Sequence, residues 1–421
     1  MQSSIKLRLT VMNFLQFAVW GAYLTSMGRY LGTAGFGSEI GNFYAMQGLV
    51  SLFMPALMGI VADRWIPAQR LLGVCHTLAG MLMLGVFLYT QTDAPSYPSL
   101  FALYSLSVAF YMPTLALSNS VAYTSLDQAG LDLVKSFPPI RVFGTVGFIC
   151  TMIAVSLLGL EATSGQFAVS AIISLVLAVY AQTLPNCPTA PKGQSKSLVE
   201  ALGLRAFVLF KQRKMALFFI FSMLLGVSLQ ITNGFANPFI STFGEIPAYA
   251  DTFGVKYANI LISLSQLSET LCILLIPFAL RRFGIRRVML IAMVAWVLRF
   301  ALLGLGNPGS GVWLFLLSMI VYGVAFDFFN VSGSLFVDKE TDPSIRSSAQ
   351  GLFMIMTNGI GATLGSLGAQ AVINHFVHTE HDTTAILAGW TTSWYIFAGY
   401  AAVVAVLFAL LFRYNTATEA K

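Results

Sequence analysis

The sequence has little charge. Only 10% of its 421 residues are Asp, Glu, Lys or Arg, where a soluble domain carries about 25%. So few charges cannot cover a water-facing surface, which excludes the two or three soluble domains that length alone suggests. Cysteine is scarce too. Cys75, Cys150, Cys187 and Cys272 show no CxxC or other paired spacing, so they read as small apolar residues rather than a disulfide scaffold or metal site. No Ser-His-Asp constellation, Walker loop or metalloprotease motif is visible. The chain is therefore expected to be neither an enzyme nor an ATP-driven pump, and to need no cofactor. A cleavable signal peptide is not expected either. The first apolar run follows Lys6 and Arg8, exceeds a signal core in length and lacks a small-residue cleavage site. The formal net charge of +6 does not make a nucleic-acid surface, because the basic residues are scattered between apolar runs.

What the sequence does have is apolar length: 57% of its residues are hydrophobic. A bilayer core of about 30 Å takes about 20 such residues per helix. Twelve runs qualify, near 9–31, 40–62, 71–91, 99–124, 138–160, 166–185, 215–243, 258–280, 287–305, 312–337, 347–376 and 390–413. Helices are required, since open strands would leave backbone groups unpaired in lipid. The expected fold is an all-α membrane protein of twelve transmembrane helices.

Lys and Arg set the orientation. With the N-terminus inside, the cytoplasmic segments collect nearly all the basic residues. These include Lys6, Arg8, Arg64, Arg70, Lys135, Arg141, Lys192, Lys196, Lys211, Arg213, Lys214, Arg281, Arg282, Arg286, Arg287, Lys339, Arg346 and Arg413. The outer segments hold only Arg29 and Lys256, and Arg299 falls inside a span. Both termini are therefore expected in the cytoplasm.

The longest polar stretch, 186–214, separates six helices in 1–185 from six in 215–421 and is expected to carry a surface helix over 198–210. A repeated six-helix unit is a signature of secondary carriers. Gly59, Asp63 and Arg64 resemble the Gly-x-x-x-Asp-Arg loop of the major facilitator superfamily. In that superfamily the Asp and Arg latch neighbouring helices in one transport state. The second half has a basic loop in the same place but lacks the Gly and the Asp.

Charge inside a span is costly and needs a partner, a wet cavity or a proton. Glu269, Arg299 and Asp327 lie inside the eighth, ninth and tenth runs, and Arg141 lies in the first turns of the fifth. Arg141 and Arg299 read equally well as structural or snorkelling residues, whereas a mid-span carboxylate is too short to reach an interface. Helical spacing gathers polar neighbours around them. Gln266 shares a face with Glu269, and Gln230 with Asn233 and Asn237. Arg141, Thr145 and Phe148 form a third set. Tyr322, Phe326 and Phe329 make an aromatic stripe beside Asp327 and Asn330. Carboxylates, amides and stacking rings together suit a neutral, hydroxylated ligand with a flat ring, and a buried carboxylate can carry a proton. A sugar fits this inventory almost as well as a nucleoside.

At these residues the chain resembles the bacterial nucleoside:proton symporters, a branch of the major facilitator superfamily. The matching stretches are Phe137-Pro-Pro-Ile-Arg141-Val-Phe-Gly-Thr145-Val-Gly-Phe148, Leu229-Gln230-Ile-Thr-Asn233, Ser265-Gln266-Leu-Ser-Glu269, and Tyr322-Gly-Val-Ala-Phe326-Asp327-Phe-Phe-Asn330-Val-Ser-Gly333. The opening Asn13-Phe-Leu-Gln16-Phe-Ala-Val-Trp20-Gly is similar too, and the likeness runs from about residue 6 to residue 413. The resemblance implies proton-driven nucleoside uptake across the bacterial inner membrane by a monomer. It implies a ligand site made of Arg141, Thr145, Phe148, Gln230, Asn233, Gln266, Glu269, Tyr322 and Phe326. Glu269 would bind ribose hydroxyls and Asp327 would serve coupling or the conformational switch. The proton carrier remains Glu269 or Asp327, and the preferred base remains broad or xanthosine-like. The other reading is a proton-coupled sugar or polyol carrier of the same fold.

His375, His378 and His381, beside Glu380 and Asp382, read as a solvated loop rather than a metal site. Gly361, Gly365 and Ala369 give the small-residue spacing of close helix packing.

Overall fold

The computed structural model describes residues 2–189, 204–342 and 345–414. Every regular element among them is helical. The helices are α1 (Gln2–Gly21), α2 (Met27–Thr33), α3 (Ile40–Ser51), α4 (Met54–Arg64), α5 (Ala68–Tyr89), α6 (Tyr97–Gln128), α7 (Leu133–Leu157) and α8 (Gly165–Tyr180). They continue with α9 (Arg213–Thr242), α10 (Ala258–Leu305), α11 (Val312–Glu340), α12 (Arg346–Met354), α13 (Ala362–Phe376) and α14 (Thr383–Leu411). Ten segments among the described residues are long and apolar enough to cross a membrane. Most of the expected runs return as single helices within a few residues of their predicted ends.

Three departures have local causes. The first run breaks after Gly21, passes through a turn and resumes as α2; Ser26 in that turn donates to Gln166 Oε1 (3.0 Å). The second run breaks at Leu52–Phe53, just before Pro55 in the first turn of α4, where a missing N–H costs nothing. Between α12 and α13 the chain widens into a π-helix over Ile355–Gly361. The eighth and ninth runs return within α10 as two helices that meet at Gly284, where the backbone is non-helical (φ 74°, ψ 162°). That conformation is essentially closed to residues with a Cβ, at a cost of about 1–3 kcal/mol. Gly284→Ala is expected to lower the detergent-solubilised melting temperature, and an unchanged melting temperature would contradict this reading of the kink.

Residues 198–203 of the surface helix expected over 198–210 lie outside the described residues, as do Lys192 and Lys196. The described end, Leu204–Lys211, is 3-10 helix.

The chain divides into two compact units, Met1–Phe36 with Leu49–Leu202, and Gly37–Gly48 with Gly203–Lys421. In the first, α1 crosses α7 with backbones nearly touching. A Cβ on Gly147 would stand 2.1 Å from the Phe14 carbonyl oxygen, and one on Gly21 would stand 2.4 Å from that of Phe148. A buried apolar cluster around Leu9, Leu72, Val121 and Leu177 ties α1 to α5, α6 and α8. In the second, α10 and α11 approach just as closely, with a Cβ on Gly323 falling 2.5 Å from the Ser268 carbonyl oxygen. The segment Gly37–Gly48 belongs here because Gly41 and Gly48 lie against Ser366 and Gly359, and Gln370 accepts from the Gly41 N–H.

The two basic residues of the expected outer side are both paired: Arg29 with Glu161 (3.3 Å) and Lys256 with Asp251 (2.8 Å). The Lys256 ammonium holds the Asp251 carboxyl below its ordinary range, and Asp251 raises Lys256 in return. The carboxyl's contribution is present above its ordinary value and lost as pH falls through the lowered one. The ammonium's contribution is lost only as pH rises through the raised one. This pair is therefore intact across the neutral range and lends no pH dependence there.

Candidate functional site

The polar residues singled out from the sequence lie in both units.

In the first unit the carrier is α7. Its predicted start at Pro138 is corrected: the helix begins at Leu133 and runs through Pro138 and Pro139, so Arg141 sits two turns inside it. The Arg141 guanidinium lies over the Phe17 ring of α1, 4.0 Å from its centroid, a cation–π contact. Thr145 follows one turn later, half-buried. Phe148 is buried, edge-on to Trp20 at 6.4 Å, and Trp20 in turn packs on Tyr111 at 6.1 Å. The spacing that put Arg141, Thr145 and Phe148 on one face therefore holds, and that face meets α1.

Beneath it lies a network that the sequence reasoning missed. Gln16 Nε2 donates to Thr114 Oγ1 (2.7 Å), and the Tyr111 hydroxyl donates to the Gln16 carbonyl oxygen (2.9 Å). The fully buried His76 ring bridges Gln16 Oε1 (2.8 Å) and Ser174 Oγ (2.9 Å). Four helices are thus held by one satisfied polar set, which low dielectric makes rigid. A histidine in the middle of the run 71–91 was the available signal.

In the second unit the site residues lie on α9, α10 and α11. On α9, Asn233 Nδ2 donates to Gln230 Oε1 (2.8 Å), joining the two amides. Asn237, one turn on, bonds instead with the buried Asn259 of α10 (2.9 Å) and so ties the two helices together. On α11 the Tyr322 and Phe326 rings stack, 5.7 Å apart and 4° from parallel. Trp296 meets Tyr322 edge-on at 5.9 Å. Gln266 reaches the Tyr322 side chain to hydrogen-bond, and Tyr322 also feels the charges of Glu269 and Asp327. The charge of Glu269 reaches Asp327. Asp327 is 4% exposed, and its Oδ2 has no hydrogen-bond partner. Two carboxylates near an aromatic stack, one of them buried without a counterion, form a place where a proton can reside. Phe329 of the predicted stripe turns away from this cluster and packs on Phe218 and Phe353.

Of the remaining predicted residues, Asp63 is half-buried and Arg64 exposed at the end of α4. His375, His378 and His381 are exposed. Gly361 and Gly365 face α9 backbone, with a Cβ on Gly365 falling 2.3 Å from the Val227 carbonyl oxygen.

An all-helical, multi-pass bundle with ionisable and aromatic residues at mid-span is a secondary membrane transporter of the major facilitator type. The comparisons with known proteins refine the class. The family model described as nucleoside H+ symporter matches residues 3–417, and the chain belongs to that family. It is 49% identical over 415 residues to a xanthosine permease of Escherichia coli (strain K12), covering 98% of this chain and 97% of the permease. It is 47% identical over the same length and shares to the nucleoside permease NupG of that organism. A crystal structure of the nucleoside transporter NupG superimposes with a TM-score of 0.88 at 46% identity, over 98% of this chain and 100% of that one.

Proposed function

We propose that this protein carries a nucleoside inward together with a proton across the inner membrane, both termini lying in the cytoplasm, and that it works as a monomer. The observation that carries this reading is the cluster on α10 and α11. There the stacked Tyr322 and Phe326 stand beside Gln266 and the carboxylates Glu269 and Asp327. An aromatic stack offers a surface for a base. Carboxylate and amide groups accept and donate to ribose hydroxyls and ring heteroatoms. Arg141, Thr145 and Phe148, and Gln230 with Asn233, are proposed to complete the contacts. Substrate and proton enter from outside, protonation of Glu269 or Asp327 removes a buried charge, and the halves 1–185 and 215–421, joined by 186–214, exchange between outward and inward states. Asp63 and Arg64 are assigned to the latch of one of those states. For coupling to exist, the ligand must bind the two states with different affinity.

The near-equal identities to a xanthosine permease and a nucleoside permease favour a nucleoside over a free sugar and do not choose the base. Competition tests this directly. Excess unlabelled uridine or adenosine is expected to suppress uptake of labelled nucleoside by more than about tenfold, and free ribose is expected to leave it unchanged. Suppression by ribose alone would transfer the assignment to a sugar carrier.

A further inference from the structure

Four arginines, Arg281, Arg282, Arg286 and Arg287, fall within seven residues, and no Asp or Glu occurs anywhere between Glu269 and Asp327. The loop at the same place in the first half has Asp63 beside Arg64, whereas this one has no carboxylate of its own. The structure gives the four different surroundings. Arg286 is committed: its Nε donates to the Phe412 carbonyl oxygen (2.7 Å) and its Nη2 to that of Ala409 (2.7 Å), both at the end of α14. Those are carbonyls that a helix end leaves open. The bonds also bring the exposed Arg413, next along the chain, to the same place. Arg281, Arg282 and Arg287 are exposed, and among the described residues their side chains form no ion pair or hydrogen bond. Other basic residues of the second unit are matched: Lys214 pairs with Glu340, and Arg346 with Asp338 (3.2 Å). The surface leading to the free arginines is apolar. Leu271, Leu275, Phe278 and Arg282 follow one another at helical spacing, so they share one face of α10, and all four are exposed. Leu274, Phe278 and Arg281 make a second such row.

We propose that this end of the first helix of α10 binds an anionic phospholipid. Its acyl chains lie along the apolar face over 271–278, and its phosphate is held by Arg281, Arg282 and Arg287, with Arg413 at the edge. A guanidinium presents its donors in a planar fork that matches two phosphate oxygens at once. Like charges this close repel, and an anion among them relieves the repulsion. A zwitterionic head would set its own cationic group among the arginines, so the net negative lipids are favoured. Free phosphate would meet the same guanidinium groups but leave the exposed apolar rows unused, and an acidic peptide would have to displace lipid from them. Orienting a span in the membrane needs positive charge on one side only. It does not need that charge clustered, unpaired and continuous with a lipid-facing stripe.

The test is native mass spectrometry of the full-length protein in mild detergent, with phosphatidylglycerol or a phosphatidylcholine of the same acyl chains added, and melting temperatures measured in parallel. The wild type should retain phosphatidylglycerol about tenfold better than phosphatidylcholine, as attraction of an anionic head to several exposed arginines implies after screening. It should also melt higher with the anionic lipid. The triple variant Arg281→Gln, Arg282→Gln, Arg287→Gln should lose both effects. A second triple variant, Lys135→Gln, Lys211→Gln, Lys339→Gln, removes the same formal charge elsewhere and should keep both. Inorganic phosphate should leave the wild-type melting temperature unchanged. Equal retention of the two lipids by the wild type would overturn the proposal. So would a preference that survives in the arginine triple or is lost equally in the lysine triple. A rise with inorganic phosphate equal to that with phosphatidylglycerol would overturn the assignment to a lipid. Should the arginine triple not reach the membrane, Arg281→Gln and Arg287→Gln carry the test singly, each expected to lower the preference; no change in either would count as refutation.

Discussion

Replacing Glu269 by glutamine is expected to reduce nucleoside uptake by about a hundredfold, while Thr145→Ala reduces it by less than about tenfold. The difference follows from what each side chain can offer. Glu269 sits on α10 near Gln266, Tyr322 and Asp327, and its charge reaches the latter two. Hydrogen bonds from hydroxyls to a charged acceptor are worth about 1.5–3 kcal/mol, against about 0.5–1.5 for neutral pairs. Glutamine is isosteric but has one acceptor oxygen where the carboxylate has two, and it cannot take a proton. At the proposed site it would therefore weaken ribose binding and remove one of the two candidate proton carriers. Thr145 offers a single neutral hydroxyl on a half-buried face. Initial rates of uptake, normalised to protein in the membrane, check both. Equal, near-normal rates would count against the site.

The second large effect is structural. Gly147→Ala is expected to cost about 1–3 kcal/mol, the usual penalty of overpacking, and to lower uptake with it. The added Cβ would meet the Phe14 carbonyl oxygen at 2.1 Å. A backbone atom cannot swing aside as a side-chain end can, so α1 and α7 must separate. Separation would disturb Arg141 on Phe17 and Phe148 on Trp20 together. Gly368→Ala is the control, because a Cβ there meets nothing within 4 Å and alanine favours helix by about 1 kcal/mol. Thermal stability in detergent and uptake should fall in the first variant and hold in the second. Comparable behaviour of the two would contradict the close crossing.

The fold was legible because hydropathy and charge report burial in lipid directly. Runs such as 71–91 and 312–337 need only composition and length, and they return as α5 and α11. Composition does not report backbone dihedrals. The breaks in the first two runs and the passage through Gly284 depend on single residues whose φ and ψ are set by packing. The polar Arg281–Arg287 stretch reads as an interruption, and the helical conformation breaks within it at Gly284.

Within the site, what spacing can show was legible: Arg141, Thr145 and Phe148 on one face, Gln230 with Asn233, and Gln266 with Glu269. What spacing cannot show is contact between helices. The bridge from His76 to Gln16 and Ser174 joins residues 60 and 98 positions apart. Arg299 and Tyr322 sit on successive spans, and nothing in either run announces that one lies over the other. Phe329 shows the converse: its spacing placed it with Tyr322 and Phe326, and its packing on Phe218 and Phe353 removes it.

The most direct test of the account is uptake of labelled uridine by cells producing this chain, with and without a protonophore. The account predicts accumulation above the external concentration, with collapse to equilibrium when the proton gradient is dissipated. Accumulation that survives the protonophore would contradict proton coupling. No uptake of uridine, adenosine or xanthosine by protein correctly inserted in the membrane would contradict the assignment to nucleosides.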